Sequence, residues 1–318
     1  MRTILCLPKL TEEQQERIVR AAAGCRVLFD RNSMTESDYR EAEVILGWTA
    51  QVKDVLEKGE ASVRWIQSVS SGVDYFPLEL LKRRGVTLTD ASGVHAVSVA
   101  ETAMAMMLGF ARGIAASVRN QSRQVWDRAM PVSELYGATL TIAGAGQIGR
   151  RLTQLAKAFG MRVIAVSRSG RAPEEADETC AADRLDDAIR QADYVVNILP
   201  LTKETHHLFD EKRFALMKKT AYFINVGRGP TVHTEHLVEA LKAGRIAGAG
   251  LDVFEEEPLP PDHPLWRLDN VILTPHNAGG ATLENRQRLT ELFAANLELY
   301  LSGQTSSMRN VVDYDKQY

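Results

Sequence analysis

From its first residues the chain alternates short apolar runs with amphipathic stretches. Residues 3–7, 26–29, 44–47, 65–68 and 86–89 are apolar, β-branched-rich segments bounded by Gly, Asp or Ser. Such runs predict buried parallel strands, because a strand covered on both faces loses the polar alternation of a half-exposed one. Residues 12–22 have helical spacing between the first two. The alternation restarts at Thr139, with strands expected at 139–143, 162–167, 194–198, 221–225, 248–251 and 271–273. Repeated strand–helix units predict an α/β protein with right-handed crossovers and parallel sheets.

Between the two series, residues 96–121 predict one long helix. Its apolar positions are dense and small (Ala100, Ala103, Ala105, Met106, Met107, Ala111, Ala115). Two readings stand: a helix buried in the core, or one that also forms a subunit interface, since Met-rich helix surfaces bury readily against partners. A last helix is expected over 284–302, after the final strand. In a two-lobed chain it returns to the first lobe and makes that domain discontinuous.

Composition narrows the partners. The chain has 318 residues, enough for two domains with their own cores. With 38 Lys+Arg against 41 Asp+Glu the net charge is −3, which argues against nucleic acid or an anionic membrane as main partner. No apolar run approaches the ~18–20 residues of a membrane span, and no signal-peptide pattern is read at the start. Cys6, Cys25 and Cys180 are scattered without metal spacing, so no metal site is expected and a reducing cytoplasm is the simplest compartment.

Candidate chemistry begins at Gly144-Ala145-Gly146-Gln147-Ile148-Gly149. Alone, a GxGxxG string is a plain glycine turn as readily as a site. Here it follows a strand, opens a helix and precedes a second strand, which is the dinucleotide-binding context. Gly144 permits the tight turn, Gly146 lets backbone approach a pyrophosphate, and Gly149 brings helix and strand together, while Gln147 and Ile148 open the helix whose N-terminus receives the phosphates. The end of the second strand selects the dinucleotide. An NAD site usually places Asp or Glu there, whereas this chain has Ser167, Arg168, Ser169 and Arg171. These suit a 2′-phosphate, so NADP(H) is the preferred coenzyme expected, with NAD(H) second; the other reading is a solvated basic loop.

Three segments in the second half carry polar residues where strands end: Asn225-Val226-Gly227-Arg228-Gly229, Leu251-Asp252-Val253-Phe254-Glu255-Glu256-Glu257-Pro258, and Thr274-Pro275-His276-Asn277-Ala278-Gly279. In a doubly wound sheet those ends line the ligand crevice. Together with Ser70-Ser71-Gly72-Val73-Asp74, Val99-Ala100-Glu101, the glycine turn and Leu199-Pro200-Leu201-Thr202, these motifs make the chain similar to the D-isomer-specific 2-hydroxyacid dehydrogenase family along nearly its whole length.

The resemblance implies two doubly wound parallel-sheet domains. One is a central Rossmann dinucleotide-binding domain (96–278). The other is a discontinuous flavodoxin-like substrate domain (1–95, with the helix in 279–318). It implies a hydride-transferring oxidoreductase of small 2-oxo and D-2-hydroxy acids, with Arg228 gripping the substrate carboxylate and carbonyl, His276 as acid/base and Glu257 orienting it. Leu199, Pro200 and Thr205 are implied on the adenosine side. Val226, Gly227, His276 and Ala278 are implied as cofactor-binding, with Asp252 as the acid at the nicotinamide amide. Ser70, Ser71 and Gly72 are implied at the substrate carboxylate, the other reading of that loop being a simple turn. Glyoxylate, hydroxypyruvate, pyruvate and branched 2-oxo acids all remain open as substrates, with Trp48, Tyr75 and Phe76 as selecting side chains. Glu257 counts against formate oxidation, whose relatives carry Gln there. A dinucleotide-sensing, corepressor-like binding protein is the alternative class. No metal is implied, a homodimer through 96–121 is expected, and so are lobes that close on hinges near 93–97 and 277–283. His206, His207, His233, His236 and His263 read as surface or helix-cap residues, and Glu255 as part of a solvated acidic run.

Overall fold

The computed structural model describes residues 1–170 and 174–315. The chain forms two compact units, one from Met1–His95 with Ala281–Tyr318 and one from Ala96–Gly280.

Five parallel strands form the sheet of the first unit: β1 (Thr3–Cys6), β2 (Arg26–Leu28), β3 (Ala42–Leu46), β4 (Trp65–Gln67) and β5 (Thr87–Thr89), in the order β2-β1-β3-β4-β5. β1, β3 and β4 are buried almost throughout, which is why their sequences are mostly apolar, with Thr3, Glu43 and Gln67 as the polar exceptions. The Leu283–Leu301 helix belongs to this unit. Leu289, Leu292, Phe293, Ala294 and Leu297 pack with Ile4, Ile18, Val44 and Trp65 on one side of the sheet. Trp65 stacks on Phe293 at 5.2 Å and its indole N–H donates to Thr89 Oγ1 at 2.9 Å, so the ring's polar edge is satisfied inside the core.

The second unit carries seven parallel strands: β6 (Thr139–Ala143), β7 (Arg162–Ser167), β8 (Glu178–Ala181), β9 (Tyr194–Asn197), β10 (Tyr222–Asn225), β11 (Gly248–Leu251) and β12 (Val271–Leu273). Their order, β12-β11-β10-β9-β6-β7-β8, reverses direction at β6, so the topological switch point lies beside β6 and β9. Ligands of such sheets bind outside the carboxyl ends of the strands there. Strand β8 has no counterpart in the sequence reading, because Glu178-Thr-Cys-Ala is a short, half-exposed edge strand without an apolar run.

The single helix expected over 96–121 is a correction. Helix Ala96–Ala111 ends, Gly113 adopts φ +63°, and Ile114–Ser122 continues after a 68° bend. A glycine in the left-handed region ends the first helix, which apolar spacing alone does not reveal. Ala96–Ala111 buries Val99, Ala100, Ala103, Met104, Met106 and Met107 against the sheet, which makes it a core helix. Among the described residues no single helix is long and apolar enough to cross a membrane.

Candidate active site

Glycine shapes the first corner of the site. Gly144 follows β6 with φ +108°, and a Cβ there would come within 3.0 Å of the Ile198 backbone. At Gly149 a Cβ would stand 2.5 Å from the Gly144 carbonyl oxygen, so helix Gln147–Ala158 and β6 meet at backbone distance. A Cβ at Gly146 meets nothing within 4 Å, which marks the open side of the turn. Gly146 caps this helix without a side-chain hydrogen bond. The first-turn N–H groups, Gln147 and Ile148 among them, and the positive dipole end are therefore left for an anion, and the cradle fits a pyrophosphate.

At the end of β7 stand Ser167, Arg168 and Ser169, with no carboxylate among them. Arg171 lies outside the described residues. The exposed Glu204 carboxyl is held below its ordinary range by the Thr202 hydroxyl first, then by its own backbone N–H, with Arg168 among the charges acting on it. That places Arg168 near the loop after β9. In this loop Thr205 Oγ1 donates to Pro200 O at 2.6 Å and accepts the Thr202 N–H at 2.7 Å, while the Leu199 N–H donates to Asn197 Oδ1 at 3.2 Å. Thr205 thus fixes the turn that carries Leu199 and Pro200.

Arg228 follows β10 on a segment built around three buried polar side chains. Asn197 Nδ2 donates to Asn225 Oδ1 at 3.0 Å and to Thr231 Oγ1 at 2.7 Å. Asn225 Oδ1 also accepts the Gly227 N–H, and Asn225 Nδ2 and Thr231 Oγ1 both donate to the Arg228 carbonyl, at 3.2 and 2.6 Å. A fully paired buried network of this kind specifies one backbone path. It turns the half-buried Arg228 outward from the strand end, where Nη1 donates to Gly227 O at 3.0 Å. Val226 and Gly227 are buried, and a Cβ at Gly227 would meet Leu199 O at 2.8 Å, so the loops after β9 and β10 are in backbone contact.

The strand β11 loop reaches the same place. A Cβ on Gly229 would fall 1.8 Å from the Phe254 carbonyl oxygen, so the Arg228 segment lies directly against the Phe254–Glu255 peptide. Glu257 Oε1 accepts the Phe254 N–H at 2.9 Å, and Oε2 stands 2.6 Å from His276 Nδ1. An ionised carboxylate only accepts, so Nδ1 carries the proton and Nε2 is the nitrogen left for exchange. The His276 side chain is 49% exposed.

His276 sits at φ +49°, a left-handed conformation that a histidine adopts only when its surroundings impose it. Asp252 imposes it. Its buried carboxylate accepts the Thr274 hydroxyl at 2.6 Å, the Asn277 N–H at 3.0 Å and the Ala278 N–H at 3.1 Å, donors on both sides of His276. Asp252 is thereby engaged with the loop that presents the imidazole, a role that no sequence pattern disclosed.

The loop of residues 70–72, in the first unit, has its own hydroxyl network. Ser68 Oγ donates to Ser70 O and Ser70 Oγ to Gly72 O, both at 2.9 Å. Both serine protons are spent, so the Tyr75 hydroxyl is the donor to Ser70 Oγ at 2.8 Å. The N–H groups of Ser71 and Gly72 have no acceptor among the described residues. Phe76 packs on Tyr75 and Trp48, with ring centroids at 4.5 and 4.8 Å.

The sequence reading of Glu255 as part of a solvated acidic run misses its partners, whereas the helix-cap reading holds for His236 and His263. Glu255 Oε2 accepts the Thr234 N–H at 2.6 Å and Oε1 is bonded to His207 Nε2. His236 Nδ1 accepts the Glu211 N–H and His263 Nδ1 the Leu265 N–H, each at a helix start. Among the described residues no group of His, Cys, Asp or Glu is arranged to hold a metal ion.

A parallel sheet with a switch point, a glycine cradle there and an imidazole–carboxylate pair at neighbouring strand ends define a dinucleotide-dependent oxidoreductase. Residues 104–278 match the family model described as D-isomer specific 2-hydroxyacid dehydrogenase, NAD binding domain. The glyoxylate reductase of Pyrococcus horikoshii is 38% identical over 260 residues, covering 79% of this chain and 77% of that protein. Among solved structures, a D-isomer specific 2-hydroxyacid dehydrogenase family protein from Aeromonas salmonicida superimposes with a TM-score of 0.86 at 35% identity, over 99% of each chain. An NADPH-dependent glyoxylate/hydroxypyruvate reductase from Sinorhizobium meliloti, in complex with NADP and sulfate, gives 0.83 at 28% identity over 100% of each. The chain belongs to the D-isomer specific 2-hydroxyacid dehydrogenase family. It is an NAD(P)-dependent oxidoreductase interconverting 2-oxo and 2-hydroxy acids, and nothing in its relatives favours the corepressor-like alternative.

Proposed function

We propose that the enzyme is an NADPH-preferring reductase of small 2-oxo acids, with glyoxylate and hydroxypyruvate as first substrates and the D-hydroxy acid as product where a stereocentre forms. The observation that supports the chemistry is the 2.6 Å bond from His276 Nδ1 to Glu257, which leaves Nε2 as the nitrogen for proton exchange in this reading. When bound, the nicotinamide supplies the hydride. Nε2 of the imidazolium donates a proton to the oxygen that becomes alkoxide, and Glu257 stabilises the charged ring before that transfer. Arg228, delivered by the Asn197–Asn225–Thr231 network, grips the carboxylate and polarises the carbonyl with a planar, bidentate cation.

Coenzyme preference rests on Ser167, Arg168 and Ser169 at the end of β7, with Arg171 beyond them. Two guanidiniums and two hydroxyls complement a 2′-phosphate, and no carboxylate stands among residues 167–171. The neighbour solved with NADP supports this reading. A panel of 2-oxo acids assayed with NADPH and NADH tests both proposals. Glyoxylate or hydroxypyruvate with NADPH should give the highest kcat/KM, and equal use of NADH would sink the coenzyme reading.

A second copy of the chain is the proposed partner. The exposed apolar side chains of this region lie past the buried helix, on Ile114, Val118, Val125, Val132, Tyr136 and Trp126, the last 89% exposed. Exposed apolar side chains of this kind are what a subunit interface would cover. Sedimentation at micromolar concentration should give a dimer, and a monomer would contradict it.

A further inference from the structure

Glu255 and Glu257 leave the same loop two residues apart, and only one of them meets the imidazole assigned to proton transfer. Glu255 ties three segments together. Its Oε2 accepts the N–H of Thr234, the first residue of helix Thr234–Lys242, at 2.6 Å. That helix has no side-chain cap from its own N-cap residue, His233, so a carboxylate from elsewhere in the chain satisfies its first turn and its dipole. Its Oε1 takes the Nε2–H of His207, from the loop after β9. The side chain is 29% exposed. Its own peptide is the one pressed against Gly229, next to Arg228.

The His207 ring is fixed in turn by a file of imidazoles. His206 and His207 stand 3.9 Å apart between ring centroids, His207 and His233 4.6 Å, and His233 and His236 3.7 Å. His236 ends the file by accepting the Glu211 N–H at 3.2 Å. Burial raises the Glu255 carboxyl, but the Thr234 and His207 hydrogen bonds outweigh it, and the group is held below its ordinary range as an anion.

We infer that Glu255 is a positioning residue for the reaction, clamping the Glu257 loop to helix Thr234–Lys242 and to His207 and so holding the Glu257–His276 pair and the Arg228 segment in register. This rests on the reading of Glu257 and His276 as the proton-transfer pair. A carboxylate that opens a run of three glutamates has no such role by composition. It acquires one because the Phe254 and Glu255 backbone has no room to shift past Gly229 and its side chain is gripped from two directions.

The test uses Glu255→Ala, Glu255→Gln and His276→Ala in the full chain, each melted to confirm folding and assayed with glyoxylate and NADPH across pH. Glu255→Ala should lower kcat about ten-fold, since a displacement well under 1 Å at a reacting group already costs that much. The KM for NADPH should stay within about two-fold, because the glycine cradle is untouched. The pH limb of kcat/KM should move to lower pH, because a looser Glu257 stabilises the imidazolium less. Glu255→Gln keeps one acceptor oxygen and should recover part of the rate. A wild-type kcat in Glu255→Ala overturns the inference, and so does a reduced kcat with an unmoved limb, which marks packing alone. Should Glu255→Ala not fold, Glu255→Gln with wild-type kcat and limb overturns it equally. Full activity in His276→Ala would instead overturn the proton-transfer reading on which it rests.

Discussion

Two carboxylates of one loop each hold an imidazole, and the pairs differ in which nitrogen is used. Glu257 holds His276 by Nδ1, and the half-exposed ring leaves Nε2 outside that bond. Glu255 holds His207 by Nε2, and that ring packs against His206 and His233, tilted to both. The distances are nearly equal, so proximity of a histidine to a glutamate does not separate an acid/base group from a structural tie. In the reading proposed above, the difference is the ring nitrogen left outside the bond, Nε2 for His276 and Nδ1 for His207, together with the Arg228 segment that the Gly229 contact sets against the same loop.

The comparison breaks first at Arg228. Replacing it by Ala should cut kcat/KM for a 2-oxo acid by about 10³-fold, because a charged donor to the reacting carbonyl and carboxylate is lost. Arg228→Lys should recover little, since an ammonium does not reproduce the planar fork. Steady-state kinetics at saturating NADPH reads both. Glu257→Gln comes next, with an expected loss of about 10²-fold in kcat, because the amide neither stabilises the imidazolium nor enforces the Nδ1–H tautomer. His207→Gln sharpens the contrast. It removes a tie, not a proton carrier, and should cost under ~10-fold in kcat with no loss of the acid/base limb.

Gly229→Ala tests the backbone contact that joins the two loops. Its Cβ would meet the Phe254 carbonyl at 1.8 Å, so the loops must part. A loss of about 1–3 kcal/mol in urea unfolding is expected, together with reduced kcat. Stability equal to wild type would show that the contact is slack. The smallest effect belongs to the coenzyme corner, where Arg168→Ala should raise the KM for NADPH about ten-fold and leave that for NADH within two-fold.

Much of this was legible in the chain. β3, β4, β6, β7 and β9 announce themselves because burial on both faces favours mostly apolar runs, and the glycines of 144–149 carry their turn, approach and packing roles in their spacing. Strand β8 and the break at Gly113 were not legible, since an edge strand needs no apolar run and a small-residue helix shows no period across a glycine. The site was half legible. Arg228, Glu257 and His276 stand at strand ends in recognisable motifs. Asp252 and Glu255 act through donors at Thr274, Asn277, Ala278, Thr234 and His207, and those contacts join segments about 20 to 50 positions apart along the chain. No local pattern encodes which loop a carboxylate will hold.

Single-turnover reduction of a 2-oxo acid by bound NADPH in His276→Gln, followed by the coenzyme absorbance, tests the proton-transfer assignment most directly. The account predicts a hydride-transfer rate lower by about 10³-fold with NADPH affinity unchanged. A rate close to wild type, with the coenzyme bound equally well, would contradict it.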